Sequence, residues 1–188
     1  MLSYTLGVTE LLLNEAIHQR IIADLVPQAK KFLWIVTADI KDLHVGKGLK
    51  GAKGKRQRFV PFLEILSDLV QQGVSIRLMH AKEPGPRFRE DFDKYPALLE
   101  GDLFERILCP RIRTKAIVID GKSAFITSAN LTGAGLGAKS PHKRNFEAGM
   151  LTNEKQHLEP LIEWIDSLYL GDHCLKCQRR KFCPDPIA

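Results

Sequence analysis

Apolar and polar positions recur with two different periods along the chain, and each change of period marks a new element. Val8 to Leu13 is a short apolar run. Asn14 to Lys31 follows with Ile17, Ile21, Ile22, Leu25 and Val26 at helical spacing. Phe32 to Ile40 is rich in aromatic and β-branched residues, which predicts a buried strand. Val60 to Gln72 returns to a helical period, and Gly73 supplies a C-terminal stop. Val74 to Met79 reads as the next strand, and Pro84-Gly85-Pro86 then breaks regular structure. Short helical pieces are expected at Arg87 to Lys94 and Ala97 to Glu100. Strands are expected at Phe104 to Leu108, Lys115 to Ile119, Ala124 to Thr127 and Phe146 to Leu151, before a helix from Glu154 to Leu170. Strands that alternate with helices imply an α/β fold: a mixed, largely parallel sheet flanked by helices on both faces.

Composition narrows this picture. At 188 residues, 44% hydrophobic and 27% charged, the chain has the balance of a folded domain rather than of a disordered one. Its apolar runs, such as Phe32 to Val36, fall far short of the ~18 residues of a membrane helix, so no membrane is expected as partner. The start of the chain lacks a basic segment and Glu10 interrupts its apolar stretch, so a cytoplasmic location is expected. The net charge is +6. Lys41, Lys47, Lys50, Lys53, Lys55, Arg56 and Arg58, against the single acid Asp42, account for all of it. Gly46, Gly48, Gly51 and Gly54 punctuate the same stretch, which reads as a flexible basic loop. Such a loop is either a solvated tether or an arm that meets polyanions such as nucleic acid.

The chemistry concentrates after position 112. Arg113-Thr-Lys115 is followed by Asp120, then by Ser128-Ala-Asn130, and further on by Asn145-Phe-Glu147. In this order and spacing the segment resembles the phospholipase D superfamily. That family carries H-x-K-x4-D, then a serine and an asparagine after a strand, then a downstream glutamate. The resemblance implies that residues 1–170 form a phospholipase D-like domain with no metal needed for phosphodiester chemistry. It implies that Lys115 neutralises a phosphate oxygen, that Ser128 and Asn130 donate into the phosphate pocket, and that Asp120 orients the group at 113. It gives Glu147 the task of fixing a histidine tautomer. Only one such motif is present, whereas the family mechanism uses two. The resemblance therefore implies a homodimer with a composite site.

This chain departs from the family at the catalytic histidine, where it has Arg113. Imidazole can attack phosphorus and cycle a proton near neutrality. Guanidinium stays protonated, has no lone pair to attack with, and can only hold a phosphate through paired hydrogen bonds. Glu147 could then pair with Arg113 instead, or with Lys115. Three readings of Arg113 stand: an engineered exchange, a natural pseudoenzyme that keeps its phosphate pocket, or rescue by another histidine. His80, in His80-Ala-Lys82, is the first candidate for rescue, although it reads equally as a buried structural histidine.

A second constellation closes the chain. Cys174, Cys177 and Cys183 form C-x2-C-x5-C, and Cys109 is the remaining cysteine. Four cysteines allow two disulfides, but a reducing compartment favours a structural metal site, either Zn²⁺ or a 4Fe–4S cluster. The spacing resembles that of iron-staple nucleases, though their catalytic residues are not matched. His173 is an alternative to Cys109 as fourth ligand, and unliganded thiols are the plain alternative. Residues 171–188 are thus expected to be a cysteine-rich metal-binding tail packed on the domain, with Arg179, Arg180 and Lys181 as a small basic patch.

Short single-motif members of the superfamily are mostly nucleases, and the basic loop favours a polyanion over a lipid. The expected function is a metal-independent nuclease-type phosphodiesterase, impaired by Arg113. Lys47, Lys50, Lys53, Lys55, Arg56 and Arg58 would contact nucleic acid. The competing readings are a non-catalytic nucleic-acid-binding or assembly subunit of a defence or repair complex, and a lipid phosphodiesterase.

Overall fold

The computed structural model describes residues 7–41, 43–47, 58–184 and 186–187. Among these, β1 (Thr9–Leu13), β2 (Phe32–Thr37), β5 (Ser75–His80), β6 (Phe104–Leu108), β7 (Ala116–Ile119), β8 (Ser123–Thr127) and β9 (Ala148–Thr152) form one sheet. Its order is β1-β9-β8-β7-β2-β5-β6. A separate ribbon pairs β3 (His44–Lys47) with β4 (Arg58–Pro61).

The sheet is mixed and flanked by helices on both faces, as the alternation of elements predicts. Parallel pairing is confined to β2–β5 and β5–β6, however, and the other four pairings are antiparallel. The physical reason is connection length. Crossovers through helices make the parallel pairs, whereas β7 and β8 are joined by the tight turn Asp120-Gly121-Lys122 and must run antiparallel.

Each strand's burial reflects what covers it. All four residues of β7 are buried, because apolar clusters lie on both of its faces. Ile117 and Ile119 face one cluster with Leu33, Ile35, Ile76, Leu78 and Phe125, and the first helical segment and α2 (Phe62–Gln71) close over it. Val118 and Ala116 face the other with Val36 and Met79, covered by Leu158 and Ile165 of α4 (Lys155–Tyr169). Arg77 of β5 anchors α4. Its guanidinium lies between the rings of Trp34 (4.7 Å) and Tyr169 (3.6 Å) and pairs with Asp166 at 2.7 Å. At the other side of the sheet, β1 and β9 alternate between buried and exposed residues, since only one of their faces is covered. Gly149 allows that packing, because a Cβ there would stand 2.4 Å from the Phe125 ring.

The first predicted helix is present but irregular. A turn of α1 (Glu15–Ile17) widens into a π-helix over His18–Leu25 and tightens to a 3-10 turn at Val26–Gln28, where Pro27 has no N–H to continue the ladder. Ile17, Ile21, Ile22 and Val26 all remain fully buried. The second helix starts at Phe62 rather than Val60, because Val60 pairs with Val45 in the ribbon. The basic stretch is therefore not a loop throughout. Lys47 and Arg58 face one another as strand positions, while Lys50, Lys53, Lys55 and Arg56 lie outside the described residues. The short pieces after Pro84 are α3 (Pro86–Phe92) and a 3-10 turn at Pro96–Leu98. The strand expected from Phe146 starts at Ala148, and Phe146 itself is 94% exposed.

Candidate phosphate site at one edge of the sheet

The strand directions decide which side chains meet. β1, β2, β5, β6 and β8 end at the same sheet edge where β7 and β9 begin. That edge therefore gathers Asn14, Asp39, His80, Lys82, Arg113, Lys115, Ser128, Asn130, Asn145 and Glu147. Asp120 ends β7 and so lies at the opposite edge.

Ser128 and Glu147 form the centre of the edge. The Ser128 hydroxyl donates to Glu147 Oε2 and also accepts from the Ala148 N–H at 3.1 Å. Asn145 Nδ2 donates to the other carboxylate oxygen at 3.0 Å. Asn14, with φ +51, clamps the Glu147 backbone from β1: its N–H donates to the Glu147 carbonyl and its Oδ1 accepts from the Glu147 N–H. Gly137 packs against this clamp with φ +74, and a Cβ there would lie 2.6 Å from the Asn14 carbonyl oxygen. Asn145, Ser128 and Glu147 thus come together, with Asn14 as a contributor that no local sequence signal reveals.

Lys115 stands beside β8, its carbonyl accepting from the Thr127 N–H at 3.0 Å. Its ammonium has no hydrogen-bond or ion-pair partner among the described residues, so the alternative of a Lys115–Glu147 salt bridge is not realised. Asn130 Oδ1 accepts from the Asp39 N–H at 3.2 Å, tying the β8 loop to the β2 loop. Thr37 strengthens the same tie, accepting from Leu131 N–H and donating to the Asp39 carbonyl. Neither Thr37 nor Asp39 was singled out by the motif, because their role comes from a neighbouring strand.

Arg113 turns away from this centre. Its Nη1 donates to the carbonyls of Ile112 (2.9 Å) and Pro110 (3.4 Å). With Cys109, Arg111, Thr114, Trp164, Cys174 and Cys177 it lines a cavity of about 290 Å³. The Arg113–Glu147 ion pair is therefore absent, since the carboxylate is taken by Ser128 and Asn145.

One sequence expectation is corrected, and of the two readings of His80 the buried one is observed. Asp120 does not orient the group at 113. Its carboxylate accepts from the backbone N–H groups of Lys30, Lys31 and Phe32 at 2.7–3.1 Å and so caps the start of β2. Partial burial acts to raise its pKa, but those three donors outweigh it and hold the carboxyl below its ordinary value. His80 is fully buried, its Nδ1 2.7 Å from the Lys82 carbonyl, which assigns the proton to Nδ1. Nε2 is buried with no partner among the described residues, and burial holds the pKa of the ring below the usual histidine value. A closed-in imidazole cannot reach a phosphorus atom, so rescue by His80 finds no support in this arrangement. Lys82 contributes its carbonyl to that ring and is itself exposed.

Beside the edge runs a groove of about 450 Å³, lined by Lys41, His44, Phe59, Arg87, Phe88 and Lys139 among others. Phe59 is 61% exposed there. No three His, Cys, Asp or Glu side chains among the described residues stand ready-made in a metal-holding arrangement. No helix among them is long and apolar enough to cross a membrane.

Comparison with known proteins gives the same architecture. Residues 22–169 match the family described as cardiolipin synthase, PLD-like domain. No curated protein sequence matches the chain. Among solved structures, NucT from Helicobacter pylori superposes with a TM-score of 0.61 at 11% identity, over 86% of this chain and 94% of that one. The phospholipase D family member Nuc from Salmonella typhimurium gives 0.58 at 12% identity, over 85% and 93%. TrmBL2, an archaeal chromatin protein described as having a novel mode of DNA binding, gives 0.56 at 10% identity, over 89% of this chain and 54% of that one.

Proposed function

The chain belongs to the phospholipase D-like domain family, and from that membership we propose that it is a nuclease-type phosphodiesterase scaffold that binds nucleic acid and whose hydrolytic step is impaired by Arg113. The carrying observation is the Lys115 ammonium, without a hydrogen-bond or ion-pair partner among the described residues, at the same edge as Ser128 and Asn130, where the nucleophile position holds a guanidinium. Lys115 and the amide nitrogen of Asn130 would supply positive potential and a donor for non-bridging phosphate oxygens. The position that carries the attacking histidine in the family motif holds a guanidinium here, which can neither attack phosphorus nor cycle a proton to a leaving oxygen.

The adjoining groove supports nucleic acid as the ligand. Lys41, Arg87 and Lys139 offer charge for a phosphate backbone, and Phe59 offers a face on which a base can stack. Lys47, Lys50, Lys53, Lys55, Arg56 and Arg58 would add to that charge through counterion release. The DNA binding named for TrmBL2 is in keeping with this reading.

A homodimer is part of the proposal. Leu11, Met150 and Ile126 lie side by side across β1, β9 and β8, on the sheet face that carries α4 but exposed there. Leu13 and Ala148 extend this strip to the residue beside Glu147. A second copy packed there would bury the strip and bring two phosphate sites close together.

The test is fluorescence anisotropy with labelled single- and double-stranded DNA over a salt series, beside a cleavage assay in EDTA, for the chain and for Arg113→His. The proposal expects salt-sensitive binding by both and cleavage by Arg113→His. Binding without cleavage by either would favour a dedicated binding module, and loss of all binding would overturn the proposal.

A further inference from the structure

The tail after α4 does not hang free of the domain. Residues 171–184 run as turns and a 3-10 turn (Arg180–Phe182) against the segment that leads into β7. Four cysteines converge on this segment. Cys109 comes from the end of β6, held by its N–H donating to the His80 carbonyl at 2.9 Å. Cys174 and Cys177 come from a tight turn in which the Cys177 N–H donates to the Cys174 carbonyl at 3.0 Å. Cys183 reaches back so that its Sγ is 3.9 Å from the Leu108 carbonyl oxygen. The thiol of Cys174 lies within electrostatic reach of the other three, and all four are free of disulfides.

We infer that Cys109, Cys174, Cys177 and Cys183 together hold a thiophilic metal centre, Zn²⁺ or a 4Fe–4S cluster, that staples the tail to the segment carrying Arg113 and Lys115. Three observations support a thiolate centre over four idle thiols. Cys109 is 65 positions before Cys174, so the fold rather than the sequence brings it to the C-x2-C turn. Donors are aimed at the sulfurs: the backbone N–H of Arg179 and the Arg111 guanidinium, at 3.7 Å, point to Cys177, and the backbone of Ile187 to Cys174. The setting is cationic, with Arg111 and Arg113 on the cavity wall. Four thiols that bind Zn²⁺ release four protons and leave a centre of net charge −2, as does an oxidised 4Fe–4S cluster on four thiolates. Those guanidinium groups offset that charge. Zinc and the iron–sulfur cluster share this donor set, so analysis of the protein separates them.

The staple has a consequence for the phosphate site. Five residues separate Cys109 from Lys115, so a metal that fixes Cys109 against the tail also limits where Arg113 and Lys115 can go. The metal would stay remote from the phosphate and act through the segment's position alone.

The test is elemental and acid-labile sulfide analysis of the full chain purified without oxygen, together with its visible spectrum. About one zinc per chain with no colour, or about four iron and four sulfide with broad visible absorption, is the expected result. Cys109→Ser and Cys177→Ser should each lose most of that metal. If either variant fails to fold, Co²⁺ exchanged into the unaltered zinc protein should show the intense charge-transfer absorption of four thiolates. A chain that holds neither metal, even after incubation with Zn²⁺ or with iron and sulfide, would overturn the inference. So would full metal content in a folded Cys109→Ser variant.

Discussion

The Ser128 hydroxyl donates to the carboxylate of Glu147, and that bond ties the end of β8 to the start of β9. The same oxygen accepts from the Ala148 N–H, so one hydroxyl satisfies two neighbours. In a phosphodiesterase of this family the glutamate would be expected on a histidine. Here its two oxygens are taken by Ser128 and Asn145, so the carboxylate ties β8 to the loop before β9.

Replacing Ser128 by Ala removes a donor from Glu147 and an acceptor from the Ala148 N–H. The expected cost is about 0.5–1.5 kcal/mol, read from urea denaturation. Because the two residues act as a pair, Ser128→Ala and Glu147→Ala should be non-additive, with a coupling of about 0.5–3 kcal/mol in a double-mutant cycle. Additive losses would show that the pair is not an energetic unit.

Asp120 predicts a pH effect. Its pKa is lowered on folding, so the unfolded chain binds the proton more readily as pH falls. Its contribution is present above the unfolded value of about 3.9 and is lost as pH falls through the lower folded value. Asp120→Asn keeps a residue that tolerates the left-handed backbone at φ +55 but removes the charge. The variant should be less stable at neutral pH and should show a flatter acid limb in thermal melts from pH 6 to pH 2. An unchanged limb would assign the acid sensitivity elsewhere.

Lys115 and Phe59 should affect binding differently. Lys115→Gln removes one phosphate contact, so affinity should fall for single- and double-stranded DNA alike, with a salt slope shallower by about 1. Phe59→Ala should weaken single-stranded DNA by about 1–3 kcal/mol and duplex far less, because paired bases cannot stack on the ring. Equal losses on both ligands would remove Phe59 as a stacking platform.

The uncovered strip predicts an oligomeric state. The chain has a mass of 21.2 kDa, and light scattering at micromolar concentration should return about twice that. Met150→Asp places a charge in the middle of the strip and should give a folded monomer by circular dichroism and scattering. A Met150→Asp variant that remains dimeric would move the interface elsewhere.

Much of this was legible in the sequence, for identifiable reasons. β7 and β8 are short apolar runs around an Asp-Gly turn, and local pattern suffices to place them. Lys115, Ser128, Asn130 and Glu147 share one edge because alternating strand directions return the chain to it. What local pattern could not reveal depends on partners distant in sequence. Asn14 reaches Glu147 across 133 positions, and Asp120 spends its carboxylate on backbone donors 88–90 positions earlier. The K-x4-D spacing put Lys115 and Asp120 at opposite ends of one strand, so their joint presence in the motif does not make them neighbours. The β3–β4 ribbon was hidden because glycines and lysines obscured the pairing of Val45 with Val60.

Position 113 tests the central claim most directly. Arg113→His restores a group that can attack phosphorus and carry a proton, and such groups contribute about 10²–10⁴-fold through acid–base action alone. Initial rates of DNA cleavage in EDTA should be undetectable for the unaltered chain and measurable for Arg113→His, at matched DNA affinity. Cleavage by the unaltered chain at the rate of the variant would contradict the account.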